Sequence, residues 1–252
     1  MLRLREKVVL IAGAGGIGTA TATRLAAEGA SVIVGDINPD AAEASAVAAR
    51  EAGGQALGTV MDIADESSVE RAVRFAVQAF GGLDGLFANA AAIDVVYRDG
   101  DALTLSLQDF DRTVAVNLRG HLICTRQVLP EMLKRGGGSI VYTSSAAAYM
   151  GEPVRVAYAI TKNGLHGLLR HVASRWGKEG IRANAVAPGM VATPQLLESM
   201  PREQIDAVLA GTRSPRLGDG KDIAAMVAML MSADGEWING QVVSVNGGVL
   251  LR

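Results

Sequence analysis

A glycine-rich segment between an apolar strand and an alanine-rich helix is the strongest constraint on how this chain folds. Residues 8–12 are mostly β-branched or leucine, as in a buried parallel strand. The pattern Gly-x-Gly-x-x-Gly follows at 13–18, and a helix is predicted from 19 to 28, where Gly29 ends it. In that setting glycines allow a tight turn and bring a pyrophosphate close to the helix N-terminus. The segment therefore predicts dinucleotide binding.

Apolar runs and helical patterns alternate along the rest of the chain. Further strands are predicted at 31–35, 56–61, 83–88, 139–143, 181–187 and 241–245. Further helices are predicted at 38–52, 65–80, 106–134, 156–179 and 222–231, and the irregular region 190–215 is predicted to hold a short helix after Pro201. Because short links join strands and helices in turn, the strands should be parallel and covered on both faces. The predicted fold class is α/β, a Rossmann-type doubly wound parallel β-sheet of about seven strands, in one domain spanning 1–252.

Charge and cysteine content argue against several classes of protein. The formal net charge is −2 over 252 residues, so no basic surface for nucleic acid is expected. The charged start does not read as a signal peptide, and no 18 uncharged apolar residues run together to span a membrane. The single cysteine, Cys124, cannot form an internal disulfide and suits a reducing compartment. We expect a cytoplasmic protein with no nucleic-acid partner, no membrane partner and no metal.

Asp36 follows the second predicted strand, eighteen residues after Gly18. An acidic residue at this position accepts hydrogen bonds from the hydroxyls of the adenosine ribose. It also repels a 2′-phosphate, and Ile37 and Asn38, which come next, supply no cation. The alternative is that Asp36 only opens the turn before the next helix. The pattern favours NAD as the cofactor.

Tyr158 and Lys162 lie four residues apart on a predicted helix, so their side chains share one helical face. A phenol has a pKa near 10, and a nearby ammonium group lowers that pKa. Tyr158 would then serve as a general acid/base near neutral pH. Ser145, thirteen residues earlier, could offer its hydroxyl to the same substrate oxygen. The alternative for the pair, taken alone, is an ordinary exposed helix face.

Asn117 falls in the middle of the long predicted helix 106–134. A buried asparagine is usually avoided there, because its side chain competes for backbone hydrogen bonds. Asn117 is therefore either a solvated surface residue or part of the site, and the sequence alone leaves both interpretations open.

Together these motifs resemble the short-chain dehydrogenase/reductase family over essentially the whole chain. Several motifs in the right order and at compatible spacings are far more specific than any one of them. They are the glycine pattern, Asp36, Asp62, Asn89, Ala90, Asn117, Ser145, Tyr158 to Lys162, Arg182 to Asn184, Pro188, Gly189 and Asn246 to Gly248. The resemblance implies an NAD(H)-dependent oxidoreductase that interconverts a secondary alcohol and a ketone by hydride transfer.

The resemblance implies a role for each site residue. Tyr158 would exchange a proton with the alcohol or carbonyl oxygen, and Ser145 would hydrogen-bond that oxygen. Lys162 would lower the pKa of Tyr158 and bind the nicotinamide ribose, and Asn117 would hold, through its helix backbone, a water on a proton path from Lys162. The implied cofactor contacts are Gly13, Gly15, Gly16, Ile17, Gly18, Asp36, Ile37, Asp62, Ile63, Asn89, Ala90, Tyr158, Lys162, Pro188, Gly189, Val191 and Thr193.

The resemblance also implies partners. Members of this type commonly form homotetramers through two long helices, here 106–134 and 156–179, and Pro130 and the apolar tail 249–251 suit burial better than solvent. The substrate is expected to be a small, largely apolar alcohol or ketone. The residues expected to face it are Val95, Val96, Ala146, Ala147, Tyr149, Met150, Met190, Leu196 and Leu197.

Two positions depart from the family pattern. Two residues, rather than the usual three, separate Gly13 from Gly16-Ile17-Gly18, so the phosphate turn should be tighter. Ala91 stands where a glycine usually follows the fourth strand. We expect the added methyl group to be tolerated.

Two other functions remain open at this stage. One is a 3-oxoacyl-thioester reductase of the same family, which would normally use the phosphorylated cofactor that Asp36 disfavours. The other is a dinucleotide-binding protein without catalysis. A pure binding protein has no need of Asn117, Ser145, Tyr158 and Lys162 together, so the complete set favours an enzyme.

Overall fold

A seven-stranded parallel sheet forms the centre of the protein in a computed structural model, which describes residues 2–251. The strand order is β3-β2-β1-β4-β5-β6-β7. The strands are β1 Val8–Ala12, β2 Ser31–Asp36, β3 Gln55–Val60, β4 Gly85–Ala88, β5 Gly138–Thr143, β6 Ile181–Pro188 and β7 Val242–Val245. The predicted fold class and the approximate strand positions are confirmed.

Helices cover both faces of this sheet. They are α1 Gly16–Ala27, α2 Pro39–Glu51, α3 Glu66–Phe80, α4 Leu107–Val114, α5 His121–Lys134, α6 Ala147–Met150, α7 Val156–Trp176, α8 Pro194–Ser199, α9 Arg202–Gly211 and α10 Gly220–Met231. Helices α1, α2 and α10 contribute to the core on one face, and α3, α5 and α7 to the core on the other. None of the helices among residues 2–251 is long and apolar enough to cross a membrane.

Strand β1 shows how the sheet joins the two layers of core. All five of its residues are buried. Val8 and Leu10 belong to the core under α3, α5 and α7, whereas Val9 and Ile11 belong to the core under α1, α2 and α10. Each fully buried aliphatic side chain contributes roughly 1.5–3 kcal/mol. A continuous apolar run is what a parallel strand with helices on both sides requires.

Two helices begin or continue differently from the prediction. Helix α1 starts at Gly16 rather than at Thr19, because the Thr19 N–H already donates to the Gly15 carbonyl at 2.9 Å. The predicted helix 106–134 is continuous but changes its winding in the middle. Between α4 and α5, the segment Ala115–Gly120 forms a turn of π-helix. Such turns are frequent at functional sites.

The region 190–215 is more regular than expected. Helix α8 starts after Thr193, whose hydroxyl accepts a hydrogen bond from the Leu196 N–H at 3.3 Å, and α9 follows after Pro201. The helix after Pro201 was predicted, whereas α6 and α8 were not. Both α6 and α8 are too short for their apolar residues to show a helical period.

The strand order places a crevice beside β1. The chain builds β2 and β3 on one side of β1 and β4 to β7 on the other, so neighbouring connections leave in opposite directions. Ligands bind at such a point, outside the carboxyl ends of the strands. Gly13 follows β1, Asn89 follows β4 and Ser145 comes two residues after β5, so the sheet brings these residues to one edge.

Candidate active site

A cavity of about 340 Å³ opens at this edge of the sheet. Most of the predicted cofactor contacts line it: Gly13, Gly15, Gly16, Ile17, Asp36, Ile37, Asp62, Ile63, Asn89, Ala90, Tyr158, Lys162 and Thr193. Gly18, Pro188, Gly189 and Val191, which were also predicted, do not line it. Residues that are distant in the sequence therefore meet at one site, as the motifs predict.

The four predicted contacts outside the cavity support its walls. A Cβ atom on Gly18 would stand 1.9 Å from the Gly13 carbonyl oxygen, so this glycine lets helix α1 close onto the turn. Pro188 accepts a hydrogen bond from the Ala146 N–H at 2.8 Å, next to Ser145. Gly189 packs against Asn246, and Val191 is buried and pairs with Gly218. These four residues therefore support the walls of the cavity without lining it.

The glycine turn is closed despite its short spacing. Gly13 has a φ of 103°, a conformation that favours glycine. Its carbonyl accepts a hydrogen bond from Asn89 Nδ2 at 3.3 Å, and a Cβ atom at Gly13 would lie 2.8 Å from the Ala90 backbone. The turn after β1 thus packs directly against the segment after β4, which accounts for glycine at this position.

The N-terminus of helix α1 faces the cavity without a side-chain cap. No side chain in the described part of the chain caps it, and its first turn holds no acidic residue. Helices α2 and α3, by contrast, are capped by Asn38 and Asp65. The first N–H groups of a helix need acceptors, and the helix dipole favours an anion there. The start of α1 is therefore suited to a phosphate group.

Asp36 opens the turn before α2, and it also lines the cavity. Its Oδ2 accepts a hydrogen bond from the Ala14 N–H at 2.7 Å, and its Oδ1 accepts one from the Asn38 N–H at 2.9 Å. The carboxylate thus fastens the glycine turn and opens the turn before α2, yet it also lines the cavity. Each carboxylate oxygen has a further lone pair that can accept from a hydroxyl group.

Tyr158, Ser145 and Lys162 meet at the end of β5. Ser145 lies close enough to the Tyr158 hydroxyl to act as a hydrogen-bond partner that lowers the pKa of this phenol. Lys162 is 1% exposed, and its Nζ lies 5.6 Å from the centre of the Tyr158 ring. The same Nζ donates a hydrogen bond to the Thr143 carbonyl at 2.7 Å. The spacing of four residues on helix α7 therefore corresponds to a cluster at the site, not to an exposed helix face.

Burial has the largest effect on the pKa of Tyr158 and on that of Lys162. It raises the pKa of Tyr158, which the Ser145 hydrogen bond and the Arg155 charge lower only in part and which Glu152 raises further. Burial also lowers the pKa of Lys162 to about 8. The predicted lowering of the Tyr158 pKa by Lys162 is not seen in this structure. The desolvated ammonium group points to the Thr143 carbonyl instead of to the phenol.

Asn117 lies in the π-helical turn and is buried, so the solvated interpretation is wrong. Its Oδ1 accepts a hydrogen bond from the Ala92 N–H at 2.8 Å, and its Nδ2 donates to Thr161 Oγ1 at 3.4 Å. Thr161 Oγ1 in turn donates to the Tyr158 carbonyl at 2.9 Å. The side chain connects the segment after β4 to the helix that carries Tyr158. The role of its helix backbone stays a prediction.

A larger cavity, of about 850 Å³, lies at the opposite edge of the sheet, where the strands begin. Its principal polar side chains are engaged within the protein. Arg182 donates to the Leu230 and Gly235 carbonyls, and Asp84 accepts from the Val8 N–H and from Arg135. None of the predicted site residues lines it. We therefore assign the chemistry to the smaller cavity.

Comparison with known proteins agrees with this geometry. A family profile described as Enoyl-(Acyl carrier protein) reductase matches residues 11–250. Levodione reductase of Leifsonia aquatica is 38% identical, over 98% of this chain and 95% of its own length. The chain belongs to the short-chain dehydrogenase/reductase family.

Further members of the short-chain dehydrogenase/reductase family are similarly close. A 3-oxoacyl-[acyl-carrier-protein] reductase of Thermotoga maritima is 34% identical, over 99% of this chain and 100% of its own length. A solved structure of 7α-hydroxysteroid dehydrogenase, complexed with NADH and 7-oxo glycochenodeoxycholic acid, has a TM-score of 0.91 at 34% identity. The match covers 98% of this chain and 95% of the chain in that structure. The chain is thus an oxidoreductase that acts on CH–OH groups, as predicted.

Sequence reasoning missed Thr143, which is central to this short-chain dehydrogenase/reductase site. Its carbonyl accepts from Lys162, and its hydroxyl donates to Asn89 Oδ1 at 3.1 Å. Thr143 is the last residue of β5, so the rule that ligand sites follow strand ends could have found it. The other lining residues that were missed are Met61, Ile93, Arg112 and Val116, and no motif marks them, whereas Ala91 lines the cavity at the position where the motif has glycine.

The low pKa of Lys162 predicts how its replacement affects stability. Since the folded pKa of about 8 lies below the ordinary value of 10.5, the unfolded chain binds more protons between these pH values, and the free energy of unfolding rises with pH there. Relative to wild type, Lys162→Met should therefore have its largest increase in the free energy of unfolding near pH 7. This increase should shrink by about 3 kcal/mol by pH 10.5, at 1.36 kcal/mol per pKa unit.

Urea unfolding at fixed protein concentration, from pH 7 to 10.5, measures this difference. Lys178→Met is the control, because Lys178 is an exposed lysine and its replacement removes no buried charge. If the difference in free energy of unfolding between Lys162→Met and wild type is constant across this range, burial does not disfavour the charged form of Lys162 in the folded protein.

Proposed function

We propose that the protein is an NAD(H)-dependent oxidoreductase that interconverts a secondary alcohol and a ketone. The observation that carries the proposal is that Tyr158 lies beside Ser145 and the buried Lys162, at a cavity that Tyr158, Lys162 and Asp36 line together. When bound, the nicotinamide would supply or accept the hydride at its C4. The protein would supply orientation and the proton.

The residues present fit a dinucleotide. The uncapped start of helix α1 offers N–H donors to a pyrophosphate, and a Cβ at Gly15 would meet no atom within 4 Å, so the cavity is open there. Asp36 offers acceptors for ribose hydroxyls at the end of β2. Ile63 and Asp62 line the same end of the cavity and would border the adenine. Tyr158 and Lys162 line the other end, where the nicotinamide ribose would lie.

The proton would move at the Tyr158 hydroxyl. In the reduction direction Tyr158 Oη would donate its proton to the carbonyl oxygen, while Ser145 Oγ donates a hydrogen bond to the same atom. A phenol whose pKa burial raises is held protonated, which suits a donor. Lys162, with its pKa lowered to about 8, is placed to exchange protons near neutral pH. Asn117 would hold the helix turn that a water on this path contacts.

The substrate is proposed to be small and largely apolar. Among the residues expected to face it, Met150 and Leu197 are exposed near the end of β5 and on helix α8. Val95 is 3% exposed and packs in the core below the site, so it cannot contact substrate directly. The steroid complex and levodione reductase show that relatives accept ketones of different shapes. The formation of NADH at 340 nm against a panel of alcohols would identify the class.

A 3-oxoacyl-thioester reductase remains the second candidate, because a 3-oxoacyl-[acyl-carrier-protein] reductase is among the relatives. Such a function would normally go with NADPH, which the carboxylate of Asp36 disfavours. Efficient oxidation of NADPH with a 3-oxoacyl thioester, and none of NADH with simple ketones, would favour this second candidate.

Tyr158→Phe should fold and bind NADH but lose nearly all turnover, because only the transferable proton is removed. A fall of about 10²–10⁴-fold in kcat is expected for lost acid/base catalysis. Ser145→Ala should lose somewhat less, since one hydrogen bond to a developing oxyanion is worth about 3–4 kcal/mol. Tyr97→Phe is the control, because Tyr97 is exposed at 73%. If Tyr158→Phe keeps more than about a tenth of the rate, Tyr158 is not the acid.

Cofactor choice should depend on Asp36. A 2′-phosphate would stand against its carboxylate, and like charges in a partly closed site cost several kcal/mol. The kcat/KM for NAD should therefore exceed that for NADP by about 10²-fold or more, at 1.4 kcal/mol per decade. Asp36→Ala should bring the kcat/KM values for NAD and NADP closer together. Ile37→Arg, at a position that is 60% exposed, should begin to reverse the preference.

The ratio of kcat/KM for NAD and NADP is the measurement, because Asp36→Ala also removes the hydrogen bond to Ala14 and lowers both values. Asp40→Ala is the matched control, since it removes a nearby carboxylate that does not line the cavity. Equal efficiency of the wild type with both cofactors would contradict the NAD assignment.

We also propose a homotetramer. Apolar side chains are exposed on the helices predicted to lie between subunits: Leu107, Leu122 and Leu133 on α4 and α5, and Ile160 on α7. Light scattering should give a mass near four chains of 26.1 kDa. Leu122→Glu should reduce this mass, whereas Val47→Glu, on helix α2, should not. A mass of one chain at micromolar concentration would contradict the proposal.

A further inference from the structure

The helix that carries Tyr158 begins without a cap of its own. Helix α7 starts at Val156, and the preceding residue, Arg155, has a φ of 65° and offers no side-chain cap within the described residues. The Arg155 side chain is engaged instead with Glu152 at 2.7 Å. The first N–H groups of a helix have no partner inside the helix, and leaving them unpaired when buried is costly. Acceptors must therefore come from elsewhere in the fold.

Two residues from a distant loop, Asp99 and Gly100, supply all of these acceptors. The Arg155 N–H donates to the Asp99 carbonyl at 2.9 Å, and the Val156 N–H donates to the Gly100 carbonyl at 3.3 Å. Both oxygens of the Asp99 carboxylate are used as well. The Ala157 N–H donates to Oδ1 at 3.1 Å, and the Tyr158 N–H donates to Oδ2 at 2.7 Å.

The shortest of these bonds is made to Tyr158 itself. Asp99 is 5% exposed, so water competes little for its carboxylate. A carboxylate that accepts backbone N–H bonds at a helix start also interacts favourably with the helix dipole. Replacing an ordinary capping residue destabilises a helix, and this carboxylate caps two N–H groups rather than one. Asp99 is therefore a buried, two-pronged cap supplied from another part of the chain.

The loop that carries Asp99 is itself fastened to the helix that carries Asn117. Asn117 Oδ1 accepts from the Ala92 N–H, at the start of this loop. Further along, Arg98 donates to Asp109 of helix α4 at 2.7 Å and to the Asp94 carbonyl at 3.1 Å. The loop thus connects the two helices that carry Asn117 and Tyr158.

We propose that Asp99 is a positioning residue for the reaction, which sets where the Tyr158 hydroxyl stands by fixing the first turn of helix α7. Tyr158 lies in that first turn, so fraying of the turn would move its side chain away from Ser145. A displacement of about 1 Å at reacting groups can cost about 10²-fold in rate. The proposal rests on the proposed function, because it takes Tyr158 to be the proton donor.

The test compares Asp99→Asn and Asp99→Ala with the replacement of a cap on another helix, whose side chain does not line the cavity. Asparagine has nearly the same shape and keeps one acceptor, but it turns an N–H₂ group toward the second backbone N–H. Asp65→Asn is the matched control, since Asp65 caps helix α3 through the Ser67 N–H at 3.0 Å and does not line the cavity. The concentration of intact sites is determined by fluorescence titration with NADH, and kcat is expressed per site with an alcohol from the panel.

Asp99→Asn should lower kcat per site by about 10-fold and Asp99→Ala by about 10²-fold, with the Kd for NADH within about twofold of wild type. Asp65→Asn should lower the melting temperature and leave kcat per site unchanged. A purely structural role for Asp99 would give fewer intact sites with normal kcat each. Unchanged kcat per site in Asp99→Asn would therefore overturn the proposal.

Hydrogen exchange provides a second readout that needs no substrate. In Asp99→Asn the amides of residues 157 and 158 should exchange about 10-fold faster than in wild type, because the first turn opens more often. Asp65→Asn should leave this peptide unchanged, and unchanged exchange in Asp99→Asn would also overturn the proposal. Loss of turnover in Tyr158→Phe tests the proposed function separately, so the two can fail independently.

Discussion

The hydrogen bond from the Lys162 ammonium to the Thr143 carbonyl joins the helix of the proposed chemistry to the sheet of the cofactor cleft. It ties helix α7 to the last residue of β5, and the Thr143 hydroxyl continues the connection to Asn89. Asn89 in turn donates to the carbonyl of Gly13, in the turn after β1. This chain of hydrogen bonds, which starts at the Lys162 ammonium group, links the ends of β1, β4 and β5 to helix α7. Burial of Lys162 disfavours its protonated form, so the link has a cost.

Much of the fold and a large part of the site could be predicted from the sequence, because they depend on local patterns. The apolar run 8–12 and the glycines after it fix a strand, a turn and a helix in succession, and this unit appears where the pattern places it. Tyr158 and Lys162 share a helical face because a helix turns once in 3.6 residues. Asp36 lies at the cavity because parallel strands end on one edge.

The remainder could not be predicted, because it depends on contacts between distant segments. Nothing in the sequence around Asp99 indicates that its carboxylate caps a helix more than fifty residues later in the chain. The burial of Asn117 and its bond to Ala92 likewise require the packed fold. The direction in which Lys162 points was also out of reach, since spacing on a helix defines a shared face but not the acceptor that a long side chain chooses.

The turn of π-helix at Ala115–Gly120 has a consequence for how this region tolerates length changes. A π-helical turn takes up one residue more than an α-helical turn, so it absorbs the equivalent of a single-residue insertion. Deleting one residue there would restore a regular α-helical turn, and α4 and α5 would keep their faces toward the core, because the wider turn already holds the extra residue. Ile123 and Val128 would stay in the core, and the deletion would act on Asn117 and its hydrogen bond to the Ala92 N–H. Relatives that differ in length by one residue within this helix should therefore differ at this turn.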